Sequence, residues 1–299
     1  MNEAEFIAAL RTLPLDPGAR ELLDDAAVLG ELVLTHDMLA EGVHYLASDP
    51  PQDVAWKLVA VNLSDLAAKG AKPRGVLLGY PLAGDGAWDA AFLEGLGEAL
   101  AAFGCPLLGG DTVALAPGAP RILSLTALGT SASAPARSGA KPGDALWVTG
   151  TIGDGGAGLK IALGAEGPPE LLAHYRRPAP RLGEGQVLGP QAHAMMDVSD
   201  GLLIDARRMA EASGLAVTID LADVPLSAGY IAFAGNDRDA RLAAVIAGDD
   251  YELLFAAAPD FDPPVPATRI GSFAAGAGLS LTDKENPVPL PERLGFEHG

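Results

Sequence analysis

The sequence predicts an α/β protein built as two domains. At 299 residues the chain is longer than one hydrophobic core usually serves. Strand-like apolar runs alternate along it with segments of helical apolar spacing. The small, polar stretch SASAPARSGAKPGD separates two regions that each have their own strands and helices. We therefore expect an N-terminal domain of residues 1–136 and a C-terminal domain of residues 137–299.

Composition restricts the class of protein. Hydrophobic residues make up 49% of the chain and charged residues 20%, which indicates a folded globular protein. A net charge of -19 disfavours nucleic acid as a partner, because binding the phosphate backbone needs a basic surface. No apolar run reaches the roughly 18 residues of a membrane helix, and the N-terminus MNEAEFIAAL is acidic. We expect a cytoplasmic protein without a membrane partner, and the single cysteine, Cys105, as buried filler.

The first half of the chain reads as an ordered series of elements. Residues 3–13 predict a helix, and DDAAVLGELVLTH predicts two strands around a turn at Gly30 and Glu31. Residues 52–69 keep helical apolar spacing, and Gly70 is expected to end that helix. A strand in RGVLLGYPL, a helix in WDAAFLEGLGEALAAFG and strands in PLLGG and RILSLTALGT follow.

The second half continues the alternation. It opens with the strand ALWVTG, a glycine-rich turn and a helix, and PRLGEGQVLGPQAHA predicts another helix. The acidic motif MMDVSDG precedes the helix LLIDARRMAEASG. Strands are expected in AVTIDL, YELLFAAA and ATRIGSF.

Aspartates beside glycine, serine or threonine are the most informative feature. Any one of them could be a turn or helix-cap residue, which is the commonest use of aspartate. Adjacent like charges are costly without a counterion, so the set as a whole favours a cation site. Oxygen ligands suit Mg²⁺, whereas one cysteine and five unpaired histidines do not suit zinc. The aspartates are Asp24, Asp25, Asp37, Asp65, Asp111, Asp197 and Asp200.

A glycine-rich segment at residues 153–158, GDGGAG, satisfies GxGxxG between a predicted strand and a predicted helix. A dinucleotide site would need a second strand ending in an acid about 20 residues later. That region reads EGPPELLAHYRRPAPR, which is not a strand, so an anion-binding or packing turn is favoured. Because GxxxxGK[ST] is absent, a P-loop is excluded as the way of binding ATP.

Few basic residues are candidates for contacting phosphate. Arg137 lies at the domain junction, and Arg176, Arg177 and Arg181 lie in the proline-stiffened segment YRRPAPR; surface solvation is the alternative for each. His44, in EGVHY, is equally compatible with a substrate contact and a structural role. No Ser-His-Asp or Cys-His set is recognisable, so covalent catalysis has no support.

Taken in order, the motifs DDAA, THD, VNLSDLAAKGA, GGDT, RSGAKPGD, GDGGAGL, YRRPAPR, MDVSDGL and GDDYELLF resemble those of the thiamine-monophosphate kinase family nearly end to end. The resemblance implies a fold like that of aminoimidazole-ribonucleotide synthetase, in a homodimer whose N-terminal domains pair their sheets. It also implies transfer of the ATP γ-phosphate to thiamine monophosphate, giving thiamine diphosphate in the last step of its biosynthesis. Free thiamine would not be the acceptor.

The resemblance assigns roles to individual positions, with several Mg²⁺ ions assisting transfer and no certain catalytic side chain. The implied Mg²⁺ ligands are Asp25, Thr35, Asp37, Asp65, Asp111, Asp197 and Asp200. The implied ATP contacts are Gly110, Asp111, Arg137 and Ser199. The implied contacts with thiamine monophosphate are His44, Asp249 and Phe296.

The chain departs from the family pattern in four places. Residues 21–23 are Glu-Leu-Leu where the family usually has glycines before the aspartate pair. His36 replaces a threonine or serine, Lys69 replaces a methionine, and Asp249 replaces a glutamate that is one methylene longer.

Other functions remain open at this point. Selenophosphate synthetase, the hydrogenase-maturation protein and the purine synthetase share the acidic ATP site. The first would carry a reactive cysteine or selenocysteine near the N-terminus and the second a C-terminal cysteine, and this chain has neither. A binding protein that has lost turnover is one alternative. A metal-dependent phosphohydrolase that releases phosphate without an acceptor is another.

Overall fold

The structure is a computed structural model that describes residues 2–297. Within them the strands form two sheets, of five strands in the order β1-β2-β5-β3-β4 and of seven in the order β12-β11-β8-β10-β6-β9-β7. The strands are β1 (Ala27–Leu29), β2 (Leu32–Ala40), β3 (Lys72–Leu82), β4 (Leu107–Ala114), β5 (Ile122–Thr130), β6 (Ala145–Thr149), β7 (Ala194–Asp197), β8 (Leu215–Asp220), β9 (Leu253–Ala257), β10 (Ala267–Ala275), β11 (Gly278–Asp283) and β12 (Asn286–Val288). The helices are α1 (Glu3–Leu10), α2 (Pro51–Ala68), α3 (Gly86–Ala102), α4 (Asp154–Ala162), α5 (Pro169–Arg176), α6 (Leu182–Leu188), α7 (Leu202–Ser213), α8 (Ala228–Ala234) and α9 (Arg238–Val245), with a 3₁₀ helix at Pro17–Leu22.

The five-stranded sheet is covered by α2 on one face. Along β2, side chains alternate between the two faces, as the pleat requires. Val33, Thr35 and Leu39 are buried toward α2, whereas Leu32 and Met38 are 44% and 50% exposed on the other face. At one edge, β4 pairs with β3 in parallel and has exposed residues throughout. The second face and this edge thus leave apolar surface uncovered.

Helix α2 lies between the two sheets and is buried on nearly all sides. It begins at Pro51, a residue suited to the first turn, and the predicted end at Gly70 is confirmed by that residue's left-handed φ of 58°. Its C-terminal residues Ala67 and Ala68 pack against Met195 of the second sheet. Polar side chains on α2 are therefore held in the interior, between both halves of the chain.

The seven-stranded sheet uses the strands from β6 onward, with α7 packed on it. The predicted helix in PRLGEGQVLGPQAHA is shorter than expected: α6 ends at Leu188, and the turn through Gly189 and Pro190 leads into β7. Sequence patterns had not indicated α5, α8, α9, β11 or β12. Among residues 2–297, no helix is both long and apolar enough to cross a membrane.

Three consecutive residues before the aspartate pair adopt left-handed backbone conformations. Arg20, Glu21 and Leu22 have φ values of 50°, 58° and 55°. The resemblance places glycines at residues 21–23. Glu21 and Leu22 therefore adopt left-handed conformations without the glycines that would relieve the strain of this turn. The Arg20 guanidinium donates to Asp24 at 2.5 Å and to the carbonyl oxygen of Ala134 at 2.6 Å, which fixes the turn.

Replacing Glu21 by glycine should stabilise the protein. Glu21 is exposed, so Glu21→Gly removes the steric cost of the left-handed residue while losing no buried contact. We expect the free energy of unfolding in urea to rise by roughly 0.5–1 kcal/mol, after the greater freedom of glycine in the unfolded chain is subtracted. Glu31→Gly, at an exposed position without a left-handed φ, is the control and should lose stability. Equal losses of unfolding free energy in both variants would contradict a strained left-handed conformation at Glu21.

Candidate active site

Three aspartates from distant parts of the chain meet beside α2. Asp25 precedes β1, Asp65 lies on α2 and Asp197 ends β7; one carboxylate oxygen from each lies within 4.8 Å of the others. We call these three residues the carboxylate cluster. The Ser64 hydroxyl donates to Asp197 Oδ2 at 2.6 Å, and the Thr35 hydroxyl donates to Asp65. The cluster is thus oriented by hydroxyl groups on α2 and β2.

Two further predicted ligands border the cluster. Asp37 lies on the same face of β2 as Thr35, and its backbone N–H donates to Asn62 Oδ1 of α2 at 3.0 Å. Asp200 follows β7 and forms an ion pair with Arg208 at 2.5 Å. Six of the seven predicted Mg²⁺ ligands therefore lie in one region of the structure.

The protonation of these carboxyls reflects burial and mutual repulsion. Burial, followed by the negative charge of Asp25, raises the pKa of Asp197 to about 8 and that of Asp37 to about 6. Burial and the charges of Asp37 and Asp197 raise the pKa of Asp65 well above its usual range. Burial acts the same way on Asp25, but Arg137 and Lys69 outweigh it and lower the pKa of that carboxyl. Without more positive charge, the cluster holds protons at neutral pH.

The donor set of the cluster fits a magnesium ion. Its members offer carboxylate oxygens, and the hydroxyl oxygens of Thr35 and Ser64 lie beside them; oxygen ligands are those that Mg²⁺ prefers. The raised pKa values of Asp65 and Asp197 indicate a site with too little positive charge of its own, which a divalent ion would supply. The spacing of the three oxygens, within 4.8 Å, matches carboxylates that share or bridge small cations.

A cavity of about 570 Å³ opens beside the cluster. Its volume is within the range of small-molecule sites. Asp65 and Asp197 line its acidic side, and Val43, Leu159 and Ile246 line its apolar side. A ligand with an anionic group and an apolar or aromatic part would meet complementary surfaces here.

All three predicted substrate residues line this cavity. The His44 Nδ1 accepts from the Ala40 N–H at 3.0 Å, so the ring hydrogen lies on Nε2 in the neutral form. The Asp249 carboxylate is held by Lys57 Nζ at 2.8 Å and by the Tyr251 hydroxyl at 2.8 Å, on a residue with a φ of 66°.

The third of these residues, Phe296, is 46% exposed and closes one side of the cavity. Its backbone N–H donates to the carbonyl oxygen of Asp200 at 2.9 Å. This hydrogen bond ties Phe296 to the loop that carries Asp200, a predicted metal ligand.

The predicted ATP contacts Arg137 and Ser199 lie on either side of the cluster. Arg137 pairs with Asp25, and its buried Nε has no hydrogen-bond partner within residues 2–297. The loop carrying Ser199 wraps around the buried carboxylate of Asp205, which accepts the backbone N–H groups of Ser199 and Asp200 at 3.2 and 3.1 Å. Asp205 was not among the site residues predicted from the sequence, although it closely follows MDVSDG and lies in the first turn of α7.

Gly110 and Asp111 are not brought to the cluster within one chain. Both are exposed on edge strand β4. Asp111 is level with Gly79 of β3, then Ser124 of β5, then Met38 of β2. Three strand spacings put Asp111 roughly 14 Å from β2. If Asp111 is a ligand of the same metal site, it must come from a different chain than the one that carries the carboxylate cluster.

The glycine-rich segment donates hydrogen bonds to a carboxyl group of the chain itself. The N–H of Gly153 donates to both oxygens of Asp250, at 3.0 and 2.8 Å, and the N–H of Gly155 donates at 3.2 Å. Because this carboxylate already occupies the start of α4, the segment serves to hold the loop that carries Asp249. Within the described residues the turn therefore donates to, and packs against, a carboxyl group of the same chain.

The arginines of YRRPAPR form ion pairs within the chain. Arg176 pairs with Asp49 at 3.1 Å and Arg177 with Asp53 at 2.5 Å. Arg181 pairs with Glu252. These guanidinium groups join the segment to neighbouring loops and helices and do not line the cavity.

Comparison with known proteins gives the family. The models for AIR synthase related protein, N-terminal domain and C-terminal domain, match residues 23–131 and 141–284. The thiamine-monophosphate kinase of Caulobacter vibrioides is 41% identical, covering 95% of this chain and 86% of the relative. The chain belongs to the thiamine-monophosphate kinase family. The Escherichia coli K12 member is 36% identical over 92% of this chain and 90% of its own length.

A solved family structure agrees with the fold. AaThiL complexed with AMPPCP and TMP matches with a TM-score of 0.88 and 29% identity, covering 100% of this chain and 97% of that one. The two-domain α/β prediction is therefore confirmed at the level of the whole fold.

Proposed function

We propose that the chain catalyses ATP-dependent phosphorylation of thiamine monophosphate to thiamine diphosphate. The observation that carries this proposal is the carboxylate cluster at the mouth of a cavity lined by His44, Asp249 and Phe296, in a chain of this family. The family names and the AMPPCP and TMP complex support ATP and thiamine monophosphate as the substrates. A cytoplasmic location suits an enzyme that consumes ATP.

We propose Mg²⁺ as the metal, held by the predicted ligands around the cluster. When bound, it neutralises the phosphate oxygens as the γ-phosphoryl group moves between donor and acceptor. Asp65 and Asp197 would hold it from α2 and β7, and Thr35 and Ser64 keep their carboxylates oriented. Arg137, whose Nε lacks a partner in the described chain, could leave Asp25 for a nucleotide phosphate.

The cavity would bind the acceptor. The His44 Nε2–H is suited to a phosphate oxygen, and Phe296 offers an aromatic face to a cationic or heteroaromatic ring. Lys57 and Tyr251 hold the Asp249 carboxylate in place before substrate arrives, so its orientation costs little on binding.

We also propose a homodimer in which the N-terminal domain, residues 1–136, pairs with its copy and residues 137–299 form the second domain. The uncovered face and edge of the five-stranded sheet support this, because they expose Met38, Leu77, Leu108, Val113 and Ile122 at 42–56%. Gly110 and Asp111 lie at that edge. The edge strand of the partner subunit would therefore place the partner's copies of these residues at the carboxylate cluster, which lacks them within one chain.

The acceptor is tested by comparing three reactions with ATP and Mg²⁺. One contains thiamine monophosphate, one contains thiamine and one contains no acceptor, and ADP is measured by chromatography. We expect ADP only with thiamine monophosphate. Equal release without an acceptor would instead indicate a phosphohydrolase.

A further inference from the structure

Lys69 is a buried cation beside the carboxylate cluster. It follows α2, is 0% exposed, and lies where the family resemblance expects methionine. Its Nζ is 2.5 Å from Asp24 Oδ1, 2.8 Å from Asp25 Oδ2 and 3.0 Å from the carbonyl oxygen of Met195. All three ammonium hydrogens therefore have acceptors, which come from two separate parts of the chain.

Both oxygens of Asp25 are engaged by cations, but the two cations differ in freedom. Arg137 holds the Oδ1 atom, is 19% exposed and leaves its Nε without a partner within residues 2–297. Lys69 holds Oδ2 with its full set of hydrogen bonds and no exposure. When Asp25 accepts a metal ion, Arg137 is the cation that can be displaced, and Lys69 remains.

The surroundings of the Lys69 ammonium are those of a small hard cation. Two carboxylate oxygens and one carbonyl oxygen converge on it, and both types are ordinary ligands of divalent ions. Methionine matches lysine in length through the ε carbon, with a thioether sulfur in place of the δ methylene, and lacks the terminal ammonium nitrogen. A methionine at this position would leave these oxygen atoms without the ammonium, with Arg20 on Asp24 and Arg137 on Asp25 as the remaining cations.

We propose that Lys69 is a resident cation of the metal site: its ammonium group permanently occupies a position between Asp24 and Asp25 that a divalent ion fills when the ammonium is absent. Lys69 is thus a positioning residue that fixes Asp25 for metal binding through Oδ1. It also lowers the number of divalent ions that the site takes up. This inference rests on the metal site of the proposed function.

The test compares Lys69→Met with wild type, without nucleotide or acceptor. We expect the melting temperature of the metal-free variant to fall by about 10 °C, because two buried carboxylates lose a partner. Mn²⁺ should restore at least half of that loss, beyond its effect on wild type. Mn²⁺ titration followed by electron paramagnetic resonance should count one more bound ion per chain in the variant.

Lys57→Met is the matched control. Lys57 is also a buried lysine of α2 in an ion pair, but its partner is Asp249 and not the cluster. Its metal-free melting temperature should fall as well, while the response to Mn²⁺ stays that of wild type. A purely structural role for Lys69 predicts this same behaviour for Lys69→Met, and that result would overturn the inference.

Failure of the inference can be separated from failure of the metal site. Wild type that binds no Mn²⁺ would contradict the site itself, whereas equal binding by wild type and Lys69→Met would overturn only the role of Lys69. If Lys69→Met is unfolded in EDTA, native circular dichroism should return when Mn²⁺ is added. The absence of recovery would also overturn the inference.

In a second variant, Asp24→Asn combined with Lys69→Met, one negative charge is removed together with the ammonium. We expect it to be more stable without metal than the single variant, and to lose the additional Mn²⁺. Retention of the additional ion would contradict a position between Asp24 and Asp25.

Discussion

Asp197→Asn should abolish phosphoryl transfer while leaving the chain folded. Asparagine keeps the shape of the side chain and can still accept the Ser64 hydroxyl, which lies 2.6 Å from Asp197 Oδ2. It removes the negative charge that a metal ligand needs. We expect kcat to fall about a thousandfold, equivalent to roughly 4 kcal/mol of transition-state stabilisation. Asp260→Asn, at an exposed turn that is not part of the cavity lining, is the control and should retain activity.

The same variant should change how stability depends on pH. Burial and the charge of Asp25 raise the pKa of Asp197 to about 8, so the folded state binds a proton that the unfolded state releases near its ordinary pKa. The stability contributed by this proton is present at low pH and is lost as pH rises toward about 8. Because each pH unit in this window changes stability by about 1.4 kcal/mol, metal-free wild type should lose roughly 3–4 kcal/mol relative to Asp197→Asn between about pH 5 and pH 8.

Urea unfolding in EDTA at those two pH values measures the difference. If stability of the variant and wild type changes in parallel, Asp197 does not carry the proton. If Asp197→Asn also retains wild-type kcat, the assignment of Asp197 as a ligand is wrong.

Mixing two inactive variants should restore activity if Asp111 acts across the dimer. Asp111→Asn and Asp197→Asn would each be inactive alone. A mixed dimer contains one site with Asp197 from one chain and Asp111 from the other, both intact. After random reassociation of equal amounts we expect about a quarter of wild-type activity, since half of the dimers are mixed and each has one good site.

The alternative gives a clearly different result. If Asp111 served its own chain, every site in the mixed dimer would carry one substitution and the mixture would stay inactive. Size-exclusion chromatography and a mass tag on one variant would confirm that chains had exchanged. Mixing Asp65→Asn with Asp197→Asn is the negative control, because both residues belong to the cluster of a single chain.

Much of the site follows from local sequence patterns. Thr35 and Asp37 are two residues apart on a strand with buried Val33 and Leu39, so alternation alone directs them to the α2 side. Asp65 lies on a helix whose apolar residues surround it, which indicates an interior carboxylate.

Other features depend on contacts between distant segments and could not be predicted. Lys69 follows a helix of helical apolar spacing, and its ammonium is enclosed by Asp24, Asp25 and the carbonyl oxygen of Met195 in the second sheet. The carboxyl group bound by the Gly153 turn is that of Asp250, nearly a hundred residues later. The distance of Asp111 from the cluster depends on the order β2-β5-β3-β4, which no local pattern specifies.

The fate of the γ-phosphate tests the central claim most directly. The chain is incubated with γ-³²P-labelled ATP, Mg²⁺ and thiamine monophosphate, and the products are separated by chromatography. The account predicts that the label appears in thiamine diphosphate, in an amount equal to the ADP formed. Label released as inorganic phosphate, with no labelled thiamine diphosphate, would contradict it.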